Sequence, residues 1–167
     1  MSPYYKYKKE KLEKKFYVAK DTLALLIGAM NEFTNTKSIF LKRSILGYFQ
    51  DFTEYIIDMS ETYLVITENY VDGCSGIELI KRARIHGFFD DYLCDFLIKI
   101  VKLRNRYTHD YYKREWVEED IIKCCFSEIM FMDIFLEVIS NNLLCGHPPT
   151  TCLFVKFNRL YRNINVF

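Results

Sequence analysis

The chain has 167 residues, half of them apolar and 17% aromatic, with 14 Phe and 13 Tyr. That length suits one domain with a core of real size, and a net charge of +1 excludes polyanion binding by bulk charge alone. No apolar run reaches the roughly 18 residues of a membrane span, so no membrane association is expected.

Residues 1–9 read as a basic N-terminal end, residues 10–143 as one helical domain, and 144–167 as a C-terminal extension. The first helix is predicted from Lys9 to Phe33, with Leu12, Phe16, Ala19, Leu23, Leu26, Ile27 and Met30 on one stripe. Lys8, Lys9, Lys11, Lys14 and Lys15 lie mostly off that stripe and read as a solvated face. Ser38 is placed to cap a second helix from Ile39 to Tyr70, whose buried face is Ile45, Phe49, Phe52, Ile56, Met59, Tyr63 and Ile66. Glu54 and Asp58, four apart, share its flank. Their spacing suits either a partner cation or water, with water the expectation. Residues 71–76 form a turn by composition, and a short helix from Ile77 to His86 follows, closed by Gly87 in a left-handed cap.

Asp90-Asp91 opens a fourth helix with acid at its favourable end. Trp116 begins the last long helix, with Ile121, Ile122, Cys125, Ile129, Met132, Phe135, Leu136 and Ile139 as its apolar face. Beyond Gly146, Leu153, Phe157, Leu160, Tyr161 and Ile164 fit a further short amphipathic helix. The fold class is therefore all-α, a helical bundle; a middle free of Pro agrees with it. Six Cys without a CxxC pair, and no apolar leader, predict free thiols in a reducing cytoplasm. Cys145, His147 and Cys152 lack a fourth ligand, so no metal site is expected.

The chemistry concentrates in residues 103–112. Leu93, Phe96, Leu97, Ile100 and Leu103 make a buried stripe, and Arg104 continues it. A guanidinium there needs an anion or several acceptors, since an unpaired buried charge is strongly unfavourable. Either the stripe ends and Arg104 reaches outward, or the position faces a cleft that favours positive charge. His109 lies five residues on, about 140° around an ideal helix, so the two do not share a face. They converge only if the helix frays after Asn105 or if two copies of the segment meet. Six Lys/Arg between Lys99 and Arg114 face Asp110 alone. That excess suits phosphate or RNA as well as a helix C-terminus, and makes Lys102 and Arg106 RNA-binding candidates. Tyr107 and Tyr112 suit either base stacking or ordinary packing.

The string Arg104-Asn105-x-x-x-His109-x-Tyr111 resembles the R-x4-H-x-Y signature of HEPN-domain proteins, and more narrowly of the HepT toxins that pair with MntA nucleotidyltransferases. Leu41–Ile45, Tyr55–Met59 and Asp72-Gly73 look like the family too, and the likeness spans roughly residues 10–143. Residues 150–167 depart from a minimal chain of that kind. The resemblance implies an antiparallel HEPN-type bundle of four to five helices. It also implies a homodimer whose paired motifs form a metal-independent endoribonuclease site.

In that site Arg104 and His109 are catalytic and Asn105 supports them; Asp58 is the polar residue expected from the second helix. Imidazole titrates near neutral pH and can move a proton, and a guanidinium fork matches phosphate oxygens. The one His of each motif is one proton-transfer group short for cleavage at a 2′-hydroxyl, and two facing chains supply it. Tyr111 would accept AMP from an MntA-like nucleotidyltransferase antitoxin, silencing the toxin. The chain would need no cofactor of its own, since the partner uses the ATP. A non-catalytic HEPN subunit that partners a nucleotidyltransferase would keep the same string.

Overall fold

A computed structural model of the chain describes the backbone of residues 3–144 and the side chains of 8–110 and 112–141. Within them lie α1 (Pro3–Thr36), α2 (Ile39–Ile66), α3 (Gly76–Ile85), α4 (Asp91–His109) and α5 (Arg114–Leu144). A 3-10 turn (Tyr111–Lys113) joins α4 to α5, and there is no strand among the described residues. The predicted C-terminal helix and the Cys145, His147 and Cys152 trio lie outside the described residues.

α1 and α2 form an antiparallel hairpin across Lys37-Ser38, with Lys37 in the left-handed region at φ 52°. Lys15 of α1 reaches the far end of α2, binding the Asp58 carboxylate at 3.1 Å and the Thr62 hydroxyl at 3.2 Å. Ser38 caps α2 as expected, accepting from the Phe40 amide at 3.3 Å. α4 and α5 are likewise antiparallel, joined by Arg106–Asp120, Lys99–Glu128 and the Tyr92–Phe131 ring contact. α3 lies against α2 so closely that a Cβ on Gly76 would stand 2.8 Å from Ile57 Cδ1.

Several boundaries differ from the sequence reading. α1 starts at Pro3 rather than Lys9, proline being well suited to a first helical turn because its missing N–H is not needed there. Ile27, read as core, is 39% exposed: α1 buries Leu12, Phe16, Ala19, Leu23, Leu26 and Met30, with Thr22 and Ala29 beside them. α2 stops at Ile66, four residues before Tyr70. Glu68 takes φ 59°, and the amides of Glu68 and Asn69 return to the Val65 and Leu64 carbonyls at 3.2 and 2.8 Å. That is the cap geometry normally signalled by glycine, and glutamate at its left-handed position gives no warning in sequence. Gly87 does play the expected role after α3, at φ 82°. α5 begins at Arg114, ahead of Trp116.

The core is aromatic at its centre. Phe52 and Phe89 both meet Phe135, with ring centroids 6.5 and 6.3 Å apart and steep interplanar angles. Phe52 is fully buried, so Phe52→Ala should lower the unfolding free energy by about 3–5 kcal/mol in urea titration.

Tyr63 stacks on Phe88 at 4.1 Å and donates its hydroxyl to the His86 carbonyl at 2.7 Å, tying α2 to the end of α3. Burial raises its pKa from 10.0 to about 12. The neutral phenol is therefore the form the fold prefers. Its stabilising effect is complete below pH 10.0 and is lost as pH rises through about 12. Alkaline unfolding of Tyr63→Phe should show a shallower fall of stability across that window than wild type, measured by circular dichroism.

Candidate functional site

α4 delivers the polar string. Asp90 caps it, accepting from the Leu93 amide at 2.8 Å, and Leu93, Phe96, Leu97, Ile100 and Leu103 are buried as the spacing predicts. Arg104 ends that stripe with a side chain only 23% exposed. The anion that such a guanidinium needs comes from the fold: Glu54, from the flank of α2, forms an ion pair with Arg104 Nη2. Nη1 donates to Asn105 Oδ1 at 3.1 Å, and the buried Nε has no hydrogen-bond partner among the described residues. The Nε donor is thus left over, and the charge is held at a fixed place.

The carboxylate beside Arg104 is Glu54, not Asp58. Asp58 sits one turn further on, where Lys15 engages both its carboxylate and its carbonyl. The two share a flank as expected, but α1 covers the Asp58 end and α4 reaches Glu54. Nor is Glu54 merely solvated, as the flank position had suggested. Glu54→Ala should cost about 1–3 kcal/mol in urea unfolding, because it leaves a half-buried guanidinium without its carboxylate. Glu54→Gln, which keeps an acceptor, should cost less.

α4 continues unbroken to His109. The Thr108 hydroxyl donates to the Arg104 carbonyl at 2.9 Å, and the Asp110 amide to the Arg106 carbonyl at 2.7 Å. Fraying after Asn105 therefore does not bring Arg104 and His109 together; they stand on different faces of one helix. Arg104 looks into the bundle toward α2, while His109 is exposed, with no hydrogen-bond partner among the described residues. Tyr111 begins the 3-10 turn two residues later; its side chain lies outside the described residues.

The basic excess of residues 99–114 is largely answered from elsewhere in the fold. Lys99 pairs with Glu128, which raises its pKa through their hydrogen bond, and Arg104 with Glu54. Arg106 lies between Asp120 at 3.3 Å and Asp110 at 3.9 Å, and Arg114 is 3.5 Å from Glu118. Lys102 and Lys113 remain exposed and pair with no carboxylate among the described residues.

Of the three RNA-binding candidates, then, Lys102 is open, Arg106 is engaged, and Tyr107 is half-buried with the Arg114 guanidinium 5.0 Å from its ring centroid. Tyr112 is fully exposed, and Trp116 is 68% exposed four residues later; sequence gave Trp116 no such part. Cys74, Cys94, Cys124 and Cys125 are free, and burial pushes the Cys124 thiol up to about 11. No group of metal-ligating side chains forms among the described residues, and no described helix is long and apolar enough to cross a membrane.

The bundle has a fold like that of a solved HEPN toxin. The chain is similar to the tri-AMPylated Shewanella oneidensis HEPN toxin solved in complex with its MNT antitoxin, at TM-score 0.67 and 19% identity, over 77% of this chain and 96% of that one. A toxin–antitoxin structure with AMP-PNP matches at TM-score 0.66 and 18% identity, over the same shares of the two chains. No protein-family model and no curated protein sequence matches the chain.

Proposed function

We propose that this chain is a HEPN-type toxin of a toxin–antitoxin pair, a metal-independent endoribonuclease silenced by AMP on Tyr111. The observation that carries the reading is the Arg104-Asn105-x-x-x-His109-x-Tyr111 string at the end of α4, in a fold like that of a tri-AMPylated HEPN toxin. Arg104, fixed by Glu54 and Asn105, stabilises charge on the phosphate as the 2′-oxygen attacks. His109 moves the proton, as base at the 2′-hydroxyl or as acid at the leaving 5′-oxygen. Because one chain holds these groups on different faces of α4, the complete site uses two chains, each supplying its pair. The chain itself takes no cofactor, and its free thiols suit a reducing cytoplasm.

The partner is a nucleotidyltransferase of the MNT kind, which spends ATP on the modification. The Tyr111 phenol oxygen attacks the α-phosphorus of ATP, the bond to the β-phosphate oxygen breaks, and pyrophosphate leaves. The phenolic proton passes to solvent or to a base of the partner. A second reading, a non-catalytic subunit that only presents Tyr111 to such a partner, draws on the carboxylate pairing of four of the six cations in residues 99–114.

Two experiments test the proposal. Purified chain incubated with RNA should cleave it; a chain that accepts AMP yet leaves RNA intact is the non-catalytic subunit. Sedimentation at micromolar concentration should give a dimer, and a stable monomer there would remove the two-chain site.

A further inference from the structure

The connection that carries the motif past α4 has little backbone support of its own. Asp110 leaves the helix at ψ 66°, and the 3-10 turn behind it closes through the Lys113 amide on the Asp110 carbonyl at 3.1 Å. Single 3-10 turns have poor hydrogen-bond geometry and do not hold a register by themselves. Side chains bracket the turn instead. Arg114, the first residue of α5, reaches back over it to Tyr107 on α4. Its Nη2 donates to the Tyr107 hydroxyl at 3.1 Å, and its guanidinium carbon lies 5.0 Å from the Tyr107 ring centroid.

Both ends of that contact are anchored. Tyr107 packs against the core cluster. Arg114 Nε lies 3.5 Å from Glu118, whose other oxygen is 2.9 Å from Lys42 at the start of α2. A line of contacts thus runs from α2 through α5 to the last turns of α4.

We propose that Arg114 is a positioning residue, whose hold on Tyr107 across the Asp110–Lys113 connection fixes the end of α4, which carries His109, and the turn, which carries Tyr111. It touches neither His109 nor Arg104; it acts by limiting where the end of α4 and the turn can go. The planar fork is what the task requires, because it covers the ring and donates to the phenol at once, whereas a lysine ammonium is a point charge. The catalytic consequence rests on the ribonuclease reading above; the ordering of the turn does not.

The test uses the full-length chain as wild type, Arg114→Ala, Arg114→Lys, Tyr107→Phe and the Arg114→Ala/Tyr107→Phe double variant. Amide hydrogen exchange of residues 109–113 is followed beside cleavage of a single-stranded mixed-sequence oligoribonucleotide. Arg114→Ala should speed exchange in that segment about tenfold and lower kcat about tenfold, with KM unchanged within about twofold. Arg114→Lys keeps the charge and should still show the low kcat. Tyr107→Phe, which keeps the ring and loses the acceptor, should fall between. The double variant should be no worse than Arg114→Ala, as for two halves of one contact.

Wild-type exchange in Arg114→Ala would overturn the proposal. So would a raised KM at unchanged kcat that Arg114→Lys restores, since Arg114 would then be a phosphate contact. If wild-type protein cleaves no RNA, it is the ribonuclease reading that fails, and with it the kcat arm. The exchange data would still decide whether Arg114 orders the turn.

Discussion

Protein carrying AMP on Tyr111 is expected to cleave RNA on the order of 10²-fold more slowly than unmodified protein. The phosphodiester places a negative charge and a nucleoside two residues after His109, on a turn that only Asp110 separates from the end of α4. RNA phosphate must approach the same exposed imidazole, and like charges repel there. The open cations nearby, Lys102 and Lys113, suit the adenylate phosphate as well as they suit RNA. Tyr111→Phe removes the acceptor and leaves Arg104 and His109 in place. That variant should keep its activity when treated with nucleotidyltransferase, ATP and magnesium, while wild type loses it. Intact-mass analysis reads the modification directly, each AMP adding one fixed increment. If Tyr111→Phe is modified as fully as wild type, Tyr107, Tyr112 or another residue is the acceptor. Tyr112, fully exposed on the same turn, is then the first alternative; half-buried Tyr107, held by Arg114, is less accessible.

Arg104→Ala and His109→Ala should each reduce RNA cleavage on the order of 10²-fold or more. The two losses have different origins. His109 is exposed and makes no hydrogen bond or ion pair among the described residues, so its removal should leave the unfolding midpoint where it was. Arg104 is paired with Glu54 in a part-buried position, so Arg104→Ala strands the carboxylate and should cost about 1–3 kcal/mol of stability besides activity. Glu54→Gln separates these effects: the guanidinium stays and its fixed counter-charge goes. A chelator should change nothing in wild type, because the reading assigns the charge stabilisation to Arg104. Cleavage that stops with EDTA and returns with magnesium would contradict it.

What sequence disclosed here is tied to periodicity and local turn chemistry. The buried stripes of α2 and α4, the Ser38 cap and the Gly87 cap follow from spacing and residue type, and all are found save that Ile66, at the end of α2, is half-buried. The end of α2 was not legible, because Glu68 adopts a left-handed conformation that glutamate rarely takes. Ile27 was misread for a different reason: α1 is apolar on part of its outer face as well, so periodicity alone does not pick the buried side.

At the site, residue types were legible and partners were not. Nothing local distinguishes Glu54 from Asp58; which one meets Arg104 depends on how α4 crosses α2 and on Lys15 arriving from α1. The basic look of residues 99–114 is similarly a property of the linear string. In three dimensions Glu54, Glu118, Asp120 and Glu128 offset it, and each comes from another helix. Tyr107 and Tyr112, treated alike in sequence, separate only once Arg114 is seen to lie over the first.

The most direct measurement is the identity of the RNA ends. Wild-type protein and His109→Ala, each purified in EDTA, are incubated with a single-stranded oligoribonucleotide, and the fragments are analysed by mass spectrometry. Attack by the 2′-oxygen with departure of the 5′-oxygen predicts fragments ending in a 2′,3′-cyclic phosphate or its hydrolysed phosphate, opposite a free 5′-hydroxyl, in wild type and not in His109→Ala. Intact RNA in both samples, or fragments with 3′-hydroxyl and 5′-phosphate ends that appear only with magnesium, would contradict the assignment of Arg104 and His109 as a metal-independent ribonuclease site.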